Sequence, residues 1–128
     1  MKKVILDTNF LLIPARFKVD IFSEIGKIVS FQYKLSIIDK TIDELNNIID
    51  NKSVKVRDRE YAKIGLQLIK AKKVGMIKSD GKYVDDIIVD ISDKDTIVAT
   101  SDKELKKRLK KKGIKMIVLK KKQYLVLE

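Results

Sequence analysis

The sequence contains no cysteine and no histidine. Without cysteine there are no disulfides and no thiolate metal sites. Without either residue the chain can build neither a Ser-His-Asp nor a Cys-His nucleophile, and no His/Cys zinc site. Its five glycines, at positions 26, 65, 75, 81 and 113, form neither GxGxxG nor a GxxxxGK loop, which excludes the dinucleotide and P-loop readings. No apolar run approaches the roughly 20 residues a membrane span needs. Met1-Lys2-Lys3 leads into only a few apolar residues before Asp7, which is not the pattern of a signal peptide. The expected location is therefore the cytoplasm, with no membrane partner. Any chemistry has to come from Asp, Glu, Lys, Ser, Thr, Tyr and Asn.

What is present is a chain of 128 residues, 45% hydrophobic and 37% charged, the profile of one globular domain over residues 1–128. The net charge is +11, and it is unevenly placed. Of 29 basic and 18 acidic residues, 11 basic and a single acid, Glu104, fall between Lys103 and Lys122. The rest of the chain is nearly neutral. A neutral body with one basic region suits a polyanion partner, and a solvated lysine-rich surface is the plainer alternative.

Short β-branched runs alternate with helical periods. Strands are expected at Val4–Leu6, Leu35–Ile38, Val74–Ile77, Thr96–Thr100 and Ile114–Leu119, with an edge strand at Gln123–Leu127. Helices are expected at Val19–Val29, after a cap at Asp39 or Thr41, at Arg57–Lys72, at Tyr83–Ser92 and at Lys103–Lys112, the last stopped by Gly113. On the 57–72 helix the inward face reads as Tyr61, Ile64, Gly65, Leu68 and Ile69. Nearly continuous apolar strands separated by helices indicate an α/β sandwich around a mostly parallel sheet. In such folds ligands sit beyond the carboxyl ends of the strands.

That rule sorts the acids. Asp7 ends the first strand, where a lone buried carboxylate costs several kcal/mol unless cations or donors compensate it. Thr8 and Asn9 beside it are placed to orient it. Asp102 follows the strand at 96–100, and it doubles as a helix N-cap. Glu104 lies in the first turn of that helix, at the expected rim. Glu44 sits early on the helix after the second strand, directly before core-facing Leu45. A helical wheel centred on Val84 puts Asp85 beside the apolar face and Asp86 opposite the core. Four acids at one sheet edge repel one another unless cations neutralise them, and all-oxygen ligation selects Mg²⁺ or Mn²⁺. An acidic metal pocket beside a basic stripe is the charge arrangement of a phosphodiesterase.

Val4-Ile5-Leu6-Asp7-Thr8-Asn9, Thr41-Ile42-Asp43-Glu44-Leu45, Asp85-Asp86-Ile87-Ile88 and Ala99-Thr100-Ser101-Asp102-Lys103-Glu104-Leu105 together resemble the motifs of the PIN-domain nucleases, in order, from Lys3 to about Leu125. The resemblance implies a three-layer α/β/α sandwich with strand order 3-2-1-4-5 and Mg²⁺- or Mn²⁺-dependent endoribonuclease activity. It assigns Asp7, Glu44, Asp85 and Asp102 as catalytic metal ligands, with Thr8, Asn9, Asp86, Ser101 and Glu104 supporting them. RNA is the implied partner, its backbone held by Lys103, Lys106, Lys107, Arg108, Lys110 and Lys111. The double Asp and the lysine-rich helix look most like the archaeal branch related to ribosomal-RNA processing nucleases. The toxin ribonucleases of VapBC-type modules, with an antitoxin protein as partner, are close behind. A homodimer is a further expectation from the fold. A non-catalytic RNA-binding ribosome-assembly factor is the rival reading.

Overall fold

In the computed structural model, which describes residues 1–128, each expected strand forms. They are β1 (Lys2–Leu6), β2 (Tyr33–Ile38), β3 (Gly75–Ile77), β4 (Thr96–Ala99), β5 (Lys115–Lys120) and β6 (Tyr124–Leu127). They make one sheet in the order β3-β2-β1-β4-β5-β6. All neighbours are parallel except β5 and β6, which form an antiparallel hairpin and extend the expected five-strand order by one.

Alternation along the strands divides the core into two layers. Val4 and Leu6 of β1, Ile97 and Ala99 of β4 and Ile117 of β5 point to one face. Ile5, Val98, Met116 and Val118 point to the other. The first face is covered by α1 (Ile13–Phe17), α2 (Ile21–Ile28), α3 (Asp39–Asp50) and α4 (Val56–Ala71). The second is covered by α5 (Val84–Ile91) and α6 (Lys103–Lys112), through Val84, Ile87, Ile88, Leu105 and Leu109. This is the three-layer sandwich that the strand pattern requires, because strands buried on both faces need helices on both. No helix is long and apolar enough to cross a membrane.

Helix ends follow local chemistry. Asp102 caps α6 by accepting the Leu105 N–H at 2.9 Å, lysines 110–112 occupy its negative end, and Gly113 stops it at φ +81°. Three expectations need correcting. The stretch after Asp7, for which no helix is expected, winds into a 3₁₀ helix at Thr8–Leu12 that runs into α1. Neither Asp39 nor Thr41 caps α3, since the cap position is Ile38 and Asp39 is already inside the helix. The Asp39 carboxylate instead accepts the Ser79 hydroxyl at 2.6 Å and the Ser79 and Lys40 N–H groups. Those bonds, the Ser79 hydroxyl first, hold it below the usual carboxylate range.

The third correction concerns α4, whose buried line is Ala62, Gly65 and Ile69, while Ile64 is 38% exposed. The reason is a close approach. A methyl group on Gly65 would lie 2.9 Å from the Leu11 carbonyl oxygen, so α4 rests directly on the backbone of the 3₁₀ helix. Small residues define that seam, and the larger Ile64 is rotated off it.

Candidate active site

The order β3-β2-β1-β4-β5 contains a reversal. From β1 the chain winds outward through β2 to β3, then crosses back to β4 on the other side of β1. Connections therefore leave β1 and β4 in opposite directions, and a crevice opens between their carboxyl ends. Asp7 and Asp102 follow these two strands. The crevice is a cleft of about 390 Å³ lined by Asp7, Thr8, Asn9, Glu44, Asn47, Ile48, Val84, Asp85 and Asp102.

Asp7 is the most enclosed acid, only 7% exposed. Its backbone N–H still donates to the Ala99 carbonyl at 2.9 Å, which fixes the chain against β4 as it leaves the sheet. One carboxylate oxygen accepts the Thr8 N–H at 2.9 Å and the other accepts the Thr100 hydroxyl at 2.8 Å. Two threonines then carry the network outward. The Thr8 hydroxyl donates to Glu44 Oε1, and the Thr100 hydroxyl oxygen accepts the Asp102 N–H at 3.0 Å. Glu44, Asp7 and Asp102 thus belong to one hydrogen-bonded chain that crosses from α3 through β1 and β4 to α6.

Burial pushes the Asp7 carboxyl up to about 6, and the nearby Glu44 and Asp102 carboxylates push the same way. The Thr100 hydroxyl and the Thr8 N–H oppose that rise without cancelling it. At neutral pH the cleft therefore holds a buried negative charge with more negative charge around it and no lysine or arginine on its lining.

Asp85, not Asp86, lines the cleft, as the wheel separates them. Asp86 instead pairs with Arg108 of α6 at 2.8 Å, and the same guanidinium nitrogen lies 3.7 Å from Asp85. One guanidinium nitrogen of Arg108 therefore faces the two acids of α5. Ser101 and Glu104 are also displaced from their expected places. Ser101 lines a neighbouring pocket, and Glu104 faces solvent, 3.7 Å from Lys107. Lys103, Lys106, Lys107 and Lys110 line a separate groove beside Met116 and Glu128 that shares no residue with the cleft, and Lys111 is exposed outside it.

Sequence reasoning missed Thr100 and Asn47. Asn47 lies one turn after Glu44, so the same helical face could have revealed it. Thr100 had a weaker signal, a hydroxyl closing a buried strand, and its role depends on which strand lies beside β4.

Residues 4–122 match the family described as a PIN like domain. The chain belongs to that family. Over 126 residues it is 29% identical to Ribonuclease VapC4 of Methanocaldococcus jannaschii, covering 97% of this chain and 95% of that protein. Its fold is similar to that of the PIN domain endonuclease Utp24, with a TM-score of 0.76 and 27% identity over 98% of this chain and 90% of the other. A domain of a functionally unknown protein from Methanocaldococcus jannaschii shares the fold at a TM-score of 0.59 and 18% identity, covering 94% and 92% of the two chains. The PIN-like fold thus spans nearly the whole chain, and the strand order implied by the motif resemblance is the observed one.

Proposed function

We propose that this PIN-like chain is a divalent-metal-dependent endoribonuclease that hydrolyses RNA phosphodiester bonds. The observation that carries the reading is Asp7, a buried carboxylate among other carboxylates at the switch point of the sheet, without a cation beside it. A fold retains such an arrangement at a cost in stability, and a bound cation removes that cost. The donor set, three aspartates and a glutamate, suits Mg²⁺ or Mn²⁺.

No three acids of the chain stand close enough to enclose an ion by themselves. Mg²⁺ keeps several of its waters and needs only one or two carboxylates directly. Asp7 and Asp102, joined through Thr100, are the residues that would hold the ion, with Glu44 and Asp85 on the cleft lining to meet its waters. When bound, such an ion supplies charge stabilisation at the phosphoryl group and lowers the pKa of water. The chain's own residues fix the geometry. Thr8 orients Asp7 and Glu44 together, Thr100 orients Asp7 and Asp102 together, and Asn9 and Asn47 offer amides to the substrate. The lysines of α6 attract RNA at longer range.

The biological role is ribosomal-RNA processing or, as similarity to Ribonuclease VapC4 along nearly the full length of both chains supports, that of a toxin ribonuclease with a small antitoxin partner. The activity test is cleavage of a labelled RNA with Mn²⁺ or Mg²⁺. Asp7→Asn should lower the rate about a thousandfold while the protein remains folded. Undiminished cleavage by that variant, or the same cleavage in EDTA, contradicts the proposal.

A further inference from the structure

Beside the acid cleft lies a smaller pocket of about 280 Å³, and Asn9 lines both. Its other walls are Leu12, Ile13, Arg16, Phe17 and Ser101. Ser101 directly precedes Asp102, so the pocket opens at the same sheet end as the cleft, one residue away on each side.

The pocket carries the positive charge that the cleft lacks. The Arg16 guanidinium lies 5.3 Å from the centre of the Phe17 ring, and the Lys122 ammonium lies 5.6 Å from it. Neither cation is ion-paired with a carboxylate. Two like charges gathered at one aromatic ring repel each other. The ring's negative face offsets part of that repulsion, and both cations remain open to an anion.

The turn that supplies Lys122 follows the carboxyl end of β5, the end of the sheet at which the cleft opens. β5 and β6 are joined through Lys121, Lys122 and Gln123, the two lysines in the left-handed region at φ +53° and +56°. A tight hairpin of this kind takes Asn-Gly with little strain, whereas lysine pays a steric cost there. Two lysines stand where the fold alone favours Asn-Gly.

The geometry points to a nucleotide subsite. The pocket between Asn9 and Phe17 takes the RNA nucleotide adjoining the phosphodiester in the acid cleft, its phosphate between Arg16 and Lys122 and its base or ribose against Phe17, Leu12 and Ile13. This rests on the reading of the chain as a ribonuclease and adds a direction to it. RNA leaves the cleft past Asn9 toward the β5–β6 turn. The α6 groove, which shares no residue with the cleft, is not that exit.

The test is binding of a fluorescein-labelled single-stranded RNA of about a dozen nucleotides, followed by anisotropy in EDTA so that no cleavage is needed. Arg16→Gln/Lys122→Gln should weaken binding about tenfold and flatten the salt dependence by a slope of about 0.7, one phosphate contact. A control, Lys70→Gln/Lys115→Gln, removes two charges at the amino end of the strands and should change affinity by less than about twofold. Lys121→Asn/Lys122→Gly should melt at a higher temperature and still bind RNA less tightly, which separates lost contact from lost folding. Equal weakening by the two Gln pairs overturns the subsite, as does a turn variant that binds like the unaltered chain, or an unaltered chain that binds no RNA. The expected binding pattern without cleavage under any divalent ion keeps the subsite and removes the nuclease reading. Metal-dependent cleavage with the two Gln pairs indistinguishable does the reverse.

Discussion

In the cleft, Asp7 has both carboxylate oxygens hydrogen-bonded and little exposed surface, whereas Lys103, Lys110 and Lys111 of α6 carry their charges into solvent without a fixed partner. Both regions are densely charged in the sequence, yet their charges are held in different ways. The acids are few and positioned by threonines that follow two strands. Those three lysines are positioned only by the helix that bears them. Where partners fix a charge, its position should matter more than its sign. Where they do not, only the number of charges should matter.

The largest effect should follow from moving a carboxylate without removing it. Asp7→Glu keeps the charge but pushes it past the Thr8 and Thr100 donors, and cleavage should fall by about a hundredfold or more, approaching the loss in Asp7→Asn. Steady-state RNA cleavage with Mn²⁺ measures both. An Asp7→Glu variant of normal rate would erase the distinction between the regions.

A second effect concerns stability and pH. The Asp7 pKa rises from 3.8 to about 6 on folding, so between those values the folded chain binds more protons than the unfolded chain. Stability contributed by the protonated carboxyl is then fully present below 3.8 and lost as pH rises through about 6. At pH 7.5 without metal the ionised group costs on the order of 3 kcal/mol. Asp7→Asn should be more stable than the unaltered chain by that order at pH 7.5, with the gap closing toward pH 4. Urea unfolding across pH measures it, and a gap that widened toward acid would contradict the cause assigned to the shift.

Next in size is the seam that supports the cleft from below. Gly65→Ala places a methyl group 2.9 Å from the Leu11 carbonyl oxygen, so the 3₁₀ helix carrying Thr8 and Asn9 must shift. A destabilisation of about 2 kcal/mol is expected, with a drop in cleavage beyond what the lost stability explains. Thermal unfolding and cleavage below the melting range separate the two.

The smallest effects belong to α6, with one informative exception. Lys106→Arg should leave RNA affinity within about twofold, because no fixed geometry is lost. Arg108 behaves like a member of the other region, since it is held between Asp86 and Asp85. Arg108→Ala removes a cation that competes for Asp85 and should tighten Mn²⁺ binding about threefold by titration calorimetry. An Arg108→Ala variant with unchanged Mn²⁺ affinity would place Asp85 outside the ion's reach.

Much of this arrangement was legible in the chain. Continuous apolar strands and their ends locate Asp7 and Asp102, and the wheel of α5 separates Asp85 from Asp86. The order of the strands came through motif resemblance, since periodicity does not say which strand lies beside which. What stayed hidden depends on tertiary neighbours. The 3₁₀ helix and α1 are five residues each, too short to show a helical period. The inward face of α4 is set by a carbonyl on another element, which moved Ile64 to the surface. Arg108 looked like one more cation in a basic run until α5 was placed beside it. Thr100 became a donor to Asp7 only when β4 paired with β1.

As the proposed ion site, Asp7 should destabilise the fold without a cation and be steadied when one binds. Melting temperature at pH 7.5 during titration with Mn²⁺ tests this most directly, in the unaltered chain and in Asp7→Asn. The unaltered chain should melt lower without metal and rise steadily with Mn²⁺, while Asp7→Asn should begin higher and stay flat. An equal rise in both proteins, or no rise in the unaltered one, would contradict the account.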